Sequence, residues 1–386
     1  MDYSEGLDIK QVQRWLAVLW LLTGGPLVVA ALPVPALEPL RRCLFPIMRR
    51  GKLLRANESA GKGFQKFTVP QSFFTHFYVL GLIWTSALFF TALGFAVIYS
   101  KPASHEEQNL LSLAAQLFNA PMSYLQGDSS TGDIEKYGRD AWRLVFLLLL
   151  FEIHLTRRLY ESLFVSSFSP SARMNFFGYI IALGFYTAVP LTLFLQSFQE
   201  EGFFSAFKGF LKQRFSKHGL LLMDAPNTWD MMYFVWRIGW MRFVGAALFL
   251  YGSVHQHSCH EILASLRPTD KPSMSNQYGI PRGDWFELVS SAHYLAEIVI
   301  YTGFLIASGG TNPVMWVLFI SVVANLYLLA KPTHEWYLSK FEDYPKTRHA
   351  LFPSLKQIRA RKADDPKSRL FKIFGAVWYV TGQSAR

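Results

Sequence analysis

Residues 77–99 read FYVLGLIWTSALFFTALGFAVIY, with no Asp, Glu, Lys, Arg or His between Phe77 and Tyr99. About 20 such residues in a helix cross the roughly 30 Å of a bilayer's hydrocarbon. Working outward, six further stretches are apolar enough to cross: Trp15–Leu37, Ala141–Leu155, Met174–Leu195, Met231–Gly252, Ser291–Ser308 and Pro313–Ala330. The Ala141–Leu155 stretch is short and runs into Arg157 and Arg158. The first follows a polar head, Met1–Arg14, without a small-residue cleavage pattern, and reads as a retained anchor. The apolar patch Leu110–Leu125 carries Gln116, Asn119 and Pro121 and reads as interfacial. Composition agrees: of 386 residues 51% are hydrophobic, 16% aromatic and only 17% charged, where a soluble domain carries about a quarter. A mean hydropathy of +0.18 excludes a disordered chain. Two cysteines, Cys43 and Cys259, exclude a disulfide scaffold and a four-thiolate zinc site. The fold class expected is an all-α polytopic membrane protein with about seven transmembrane helices.

The net charge of +11 invites a nucleic-acid reading, so its distribution decides. If the seven spans alternate, one side holds residues 38–76, 156–173, 253–290 and 331–386, with 26 Lys and Arg. The other side holds 1–14, 100–140, 197–230 and 309–312, with nine. This asymmetry follows the positive-inside rule and predicts a cytosolic C terminus. Anionic lipid is the partner such basicity needs, and nucleic acid is not required. The basic tail beyond residue 354, with an apolar stub at 370–374, reads as interfacial.

Ionisable side chains at membrane depth are costly and mark functional positions. Here they are His76 with Tyr78, Glu152 with His154, Arg237 with Arg242, Glu297, and the run His334–Tyr337. Each has a plainer reading: an aromatic belt for His76, snorkelling or carboxylate pairing for Arg237 and Arg242, a positive-inside anchor for Arg157 and Arg158. The stretch HQHSCHEIL, 255–263, suggests a metal at first sight. On a helix only residues three or four apart share a face, so His255 can join Cys259 and His257 can join His260, but not all four together. Hydrogen bonding to a cofactor suits the stretch better than a metal. A Gly/Pro loop with Trp285 and Phe286 follows, leading into a span with His293 and Glu297 on one face. With no GxGxxG or Walker loop, a Rossmann or P-loop domain is not expected.

Three stretches then stand out together: HQHSCHEILASLR (255–267), IPRGDWFELVSSAHYLAEIVIY (280–301) and HEWYLSKFEDYPKTRHALFP (334–353). They resemble the C-terminal domain of the steroid 5α-reductase family, and its polyprenol reductase branch in particular. VPQSFFTHFYVLGLIW (69–84) and WRLVFLLLLFEIHLTRRLYESLFVSSFS (142–169) resemble the same branch, so the likeness covers residues 68–353.

The resemblance implies NADPH-dependent reduction of a carbon–carbon double bond conjugated to a carbonyl. It places a cofactor site between the C-terminal helices on the cytosolic side. Four parts are implied: an anchor helix and basic loop (1–67), a substrate-side unit (68–230), an NADPH-binding unit (231–353) and a basic tail (354–386). Cofactor contacts are expected from His255, Arg267, His293, Glu297, His334, Tyr337, Tyr344 and Arg348, with Arg267, Lys346 and Arg348 as phosphate ligands. Gly279 stands where the family carries an Arg, and Arg282 is its neighbour. Donors to the substrate carbonyl are expected from His76, Tyr78 and His154, because a donor at that oxygen stabilises the charge that hydride addition creates. Leu155 stands where the steroid branch has a Tyr, which favours a polyprenoid over a 3-oxo-steroid or an enoyl-CoA. A long-chain polyisoprenoid in the endoplasmic reticulum membrane is the implied substrate, with no obligatory protein partner. An allylic alcohol offers no carbonyl to absorb charge, so the aldehyde, a polyprenal, is the reactive form expected.

Overall fold

The computed structural model describes residues 9–55, 67–99, 131–166, 168, 171–198, 201–215, 239–266 and 278–354. Ten α-helices lie in them: α1 (Ile9–Ala31), α2 (Glu38–Met48), α3 (Lys52–Arg55), α4 (Phe74–Ile98), α5 (Thr131–Tyr160), α6 (Phe176–Leu195), α7 (Glu201–Phe215), α8 (Trp240–Ser265), α9 (Ala292–Ala307) and α10 (Pro313–Lys340). Two short strands, β1 (Thr68–Pro70) and β2 (Arg173–Asn175), pair antiparallel. Arg50 forms a backbone bridge to Met174 on β2, so three distant segments meet there. The protein is an all-α membrane protein with this small β clasp.

Among the described residues four helices are long and apolar enough to cross a membrane: α1, α4, α6 and α10. The other three expected spans coincide with α5, α8 and α9, but their bounds differ. Helix α5 begins at Thr131 rather than Ala141 and ends at Tyr160 rather than Leu155. Residues 131–140, expected in a loop, are therefore helical, because helix propagation needs no apolar side chains once started. Helix α8 starts at Trp240 and runs through the whole HQHSCHEIL stretch, which was expected beyond the span's end at Gly252. The patch 110–125, Arg237, Arg267 and the tail from 355 onward lie outside the described residues.

Large apolar side chains such as Leu22, Ile83 and Phe90 are exposed on the bundle's outside, as hydrocarbon-facing residues should be. Between helices, packing depends on small residues, since lipid is as apolar as Leu and only close approach adds dispersion energy. Helices α8 and α9 meet where Gly245 faces Gly303: a Cβ on Gly303 would sit 2.6 Å from the Gly245 carbonyl oxygen and 2.7 Å from the Phe249 nitrogen. Gly303→Ala is therefore expected to part the two helices and cost about 1–3 kcal/mol, seen as a lower melting temperature in detergent. Helix α1 seats Gly24 against Ser321 of α10, and Trp20 Nε1 donates to Thr192 Oγ1 of α6 at 2.9 Å.

Caps set the entry angles. Asn175 is the last residue of β2, and its Oδ1 accepts from the N–H groups of Phe177 and Gly178 at the start of α6. Asn312 caps α10 in the same way ahead of Pro313. After α10 the chain folds back, and His349 and Ala350 pair by backbone bonds with residues 288–291 ahead of α9. The start of α4, the end of α5, the end of α8, the start of α9 and the end of α10 gather at one end of the bundle. Arg50, Arg157, Arg158 and Arg348 lie at that end.

Candidate active site

Helix α5 ends in a π-turn, Glu161–Val165, closed by the Ser166 N–H on the Glu161 carbonyl at 2.7 Å. Such turns insert one residue into the helical phase and occur often at functional sites. Here the turn puts the fully buried Glu161 carboxylate among four cationic or imidazole groups. Arg157 Nη1 donates to Oε1 at 2.5 Å, and Arg158 Nη1 donates to Oε2. From α8, His257 Nδ1 lies 3.0 Å from Oε1 and His260 Nδ1 lies 2.8 Å from Oε2. The helical spacing of His257 and His260 brings both to one carboxylate. Among the described residues no His/Cys/Asp/Glu group has metal-holding geometry.

From this hub the hydrogen bonds run in two directions. Arg157 Nη2 donates to Gln256 Oε1 at 2.6 Å, and Gln256 Nε2 donates to Glu297 Oε2, which fixes the amide's orientation. His154 lies beside them, 1% exposed, with Nδ1 3.4 Å from Arg157 Nη2 and Nε2 3.6 Å from Glu297 Oε1. Both of its nitrogens are thus turned to protein. In the other direction Arg158 Nη2 donates to the Tyr78 hydroxyl at 2.8 Å, with the guanidinium 5.2 Å above the Tyr78 ring. Because the phenol oxygen accepts from Arg158, its own O–H remains to be donated elsewhere. Tyr186 packs edge-on against Tyr78 at 5.4 Å, and Tyr301 packs against His154 at 6.5 Å.

The sequence candidates divide accordingly. Tyr78, His154 and Glu297 meet in this centre, with His293 reaching it through a 5.8 Å ring contact to His260. His76 is exposed, and its Nδ1 faces the Tyr179 hydroxyl at 3.1 Å beside Phe73. His76→Phe is accordingly expected to hold turnover within about threefold, since an exposed hydrogen bond is worth about 1 kcal/mol or less; parallel kinetics with Tyr78→Phe check this.

A second group forms around the fold-back after α10. Tyr344 donates to Ser290 Oγ at 2.6 Å, and Ser290 Oγ also shares a hydrogen bond with His334 Nδ1 at 2.6 Å. Tyr337 is buried and stacked on Tyr344 at 5.2 Å. His255 is held by Asp284 at 2.7 Å and stacked on Trp285, while Asp284 occupies the left-handed region at φ +44°. His255 therefore latches the Gly/Pro loop. Arg348, expected to bind phosphate, is buried and committed: Nη1 donates to the Pro281 carbonyl at 2.8 Å and Nη2 to Glu287 at 3.2 Å. Partial burial would raise the Glu287 pKa, but the Gly283 N–H and Arg348 outweigh it and hold the carboxyl below its usual range. Lys346 is exposed.

Sequence reasoning missed Glu161, Gln256 and the central place of Arg157 and Arg158. One signal was available: Glu161 stands four and three residues after the two Arg, the spacing of helical ion pairs.

A charged, hydrogen-bonded centre enclosed by apolar helices defines a membrane-embedded enzyme. Residues 187–355 match the family model for 3-oxo-5-alpha-steroid 4-dehydrogenase. Polyprenal reductase 2 of Arabidopsis thaliana is 42% identical over 341 residues, covering 88% of this chain and 95% of its own. Polyprenal reductase 1 of Oryza sativa subsp. indica is 39% identical over 352 residues, 89% of this chain and 97% of its own. Polyprenal reductase of Homo sapiens is 30% identical over 360 residues, 92% and 98% respectively. The chain belongs to the steroid 5α-reductase family, in the branch of the polyprenal reductases, and is an oxidoreductase.

Proposed function

We propose that this protein reduces the α-isoprene double bond of a polyprenal to give dolichal, with NADPH, feeding dolichol synthesis for protein N-glycosylation. The observation that carries the reading is the Tyr78–Arg158 pair. A phenol that accepts from a guanidinium is made a stronger donor, and its O–H is free for an aldehyde oxygen. As the β-carbon is reduced, charge accumulates on that oxygen, and a positioned donor stabilises it where water is excluded. Glu161 holds Arg158 in place, and the apolar rings of Tyr186 and Tyr301 flank the position a long isoprenoid head would take.

The residues present fit a dinucleotide. Arg157 Nε and Ser291 Oγ are buried without protein partners, so polar atoms of a ligand can complete them. Glu297, His293 and His334 are the side chains that would hold it. The chemistry NADPH supplies when bound is a hydride. In this reading residues 68–230 serve the substrate and 231–353 the cofactor, with 1–67 as anchor and basic loop and 354–386 as a basic tail. The basic end of the bundle faces the cytosol, where NADPH is found, in the endoplasmic reticulum membrane. The asymmetry of Lys and Arg supports that orientation.

The test is turnover by membranes containing the protein, given NADPH and a short polyprenal, testosterone or a trans-2-enoyl-CoA in parallel. Loss of the polyprenal's conjugated double bond, with little turnover of the other two, is the expected result. Preference for testosterone would move the substrate assignment to the 3-oxo-steroids named by the family model.

A further inference from the structure

We infer that Arg50 clamps a phosphate group of the nicotinamide dinucleotide at the rim of the centre, an inference that rests on the NADPH reading above. Arg50 lies in the N-terminal basic loop, upstream of residues 68–353 and of the 187–355 match to the family model. The β clasp fixes its backbone: Arg50 bridges to Met174, and the Gly51 N–H donates to the Arg173 carbonyl at 2.9 Å. Gly51 takes φ +54°, a left-handed conformation that turns the chain just after the bridge.

From there the side chain reaches the start of α9. Nη2 donates to the Tyr294 hydroxyl at 2.9 Å, and the guanidinium lies 5.2 Å from the Phe74 ring centre and 5.9 Å from that of Tyr294. Two rings and one hydrogen bond thus set the plane of the fork. Tyr294 leads inward through His293, 4.1 Å away ring to ring, and on to His260 and the Glu161 hub. Arg50 therefore stands at the edge of the same centre, contributed by a segment more than a hundred residues upstream of α5's end.

Among the described residues no carboxylate pairs with Arg50, and Nε and Nη1 have no protein partner. Around the centre Arg50, Arg157 and Arg158 face two carboxylates, Glu161 and Glu297. A partly enclosed guanidinium with free donors is completed by an anion, and its planar fork suits phosphate oxygens. The role is open because Arg348, the phosphate ligand expected from sequence, spends both terminal nitrogens on Pro281 and Glu287.

The test is equilibrium binding, not turnover. Purified full-length protein in neutral-lipid nanodiscs is titrated with NADPH and separately with NADH, followed by nicotinamide fluorescence and by thermal stabilisation. R50Q is expected to weaken NADPH binding roughly tenfold or more, as loss of a charge-assisted hydrogen bond requires. R50K, which keeps the charge without the fork, should fall between, and R42Q, at an exposed Arg, should bind as wild type. Equal losses for NADPH and NADH place Arg50 on the pyrophosphate, and a loss for NADPH alone places it on the 2′-phosphate. Wild-type NADPH affinity in R50Q overturns the inference while leaving the cofactor reading intact. So does a defect seen only as weaker binding to vesicles containing phosphatidylserine, which would make Arg50 a lipid-headgroup ligand. If R50Q does not fold, R50K at full wild-type affinity counts against the clamp. No NADPH binding by the wild type overturns both readings at once.

Discussion

Tyr78→Phe is expected to lower kcat for a polyprenal by about 100-fold to 1,000-fold, with a much smaller change in KM. The substitution removes one oxygen and leaves the ring, so the packing against Tyr186 and the cation–π contact with Arg158 survive. What is lost is the donor whose proton Arg158 leaves free by occupying the oxygen's acceptor side. An interaction made mainly in the transition state shows in kcat, whereas one made equally with bound substrate shows in KM. Near wild-type kcat in Tyr78→Phe would remove the phenol from the chemistry. The buried His154 would not replace it easily, since both of its nitrogens face Arg157 and Glu297.

Glu161→Gln should cost roughly 3–5 kcal/mol of stability, because breaking a buried ion pair strands its partners. Here two guanidiniums lose their shared counter-charge, and the His257 and His260 contacts lose their acceptor. Thermal unfolding in detergent, with and without NADPH, reads the loss. Activity should fall in parallel, as Arg158 is no longer held where it meets Tyr78. Glu161→Asp keeps the charge on a shorter stem and is expected to recover part of both. Were Glu161→Gln to melt and turn over as wild type, the hub would be neither structural nor functional, and Arg157 and Arg158 would revert to simple interfacial anchors.

Much of this protein was legible before any coordinates. The stretch 77–99 and its six companions fixed a helical membrane protein, because a backbone in hydrocarbon must satisfy its own hydrogen bonds. The 255–267, 280–301 and 334–353 stretches led to the family. Helical spacing alone also separated His255 and Cys259, which pack towards Trp285, from His257 and His260, which share Glu161. Span ends were less legible: hydrophobicity marks where lipid stops, whereas α5 and α8 continue beyond it.

Only the tertiary structure decided which polar residues cooperate. Arg157 and Arg158 have the sequence appearance of membrane-edge anchors; the π-turn that follows them places the Glu161 carboxylate between them and α8, where both pair with it. Tyr78 and His76 are two residues apart and chemically alike as donors, yet the helical turn sends one to Arg158 and the other to Tyr179 at the surface. The places of Arg348 and Arg50 have the same origin. The fold-back after α10 buries the first against Pro281, and the β clasp carries the second, from a loop with no motif, to the rim. Sequence records which side chains can donate, accept or carry charge. Their partners come from elements far apart in the chain, as when Arg158 meets Tyr78 80 residues before it and His260 102 residues after it, and no local pattern encodes that meeting.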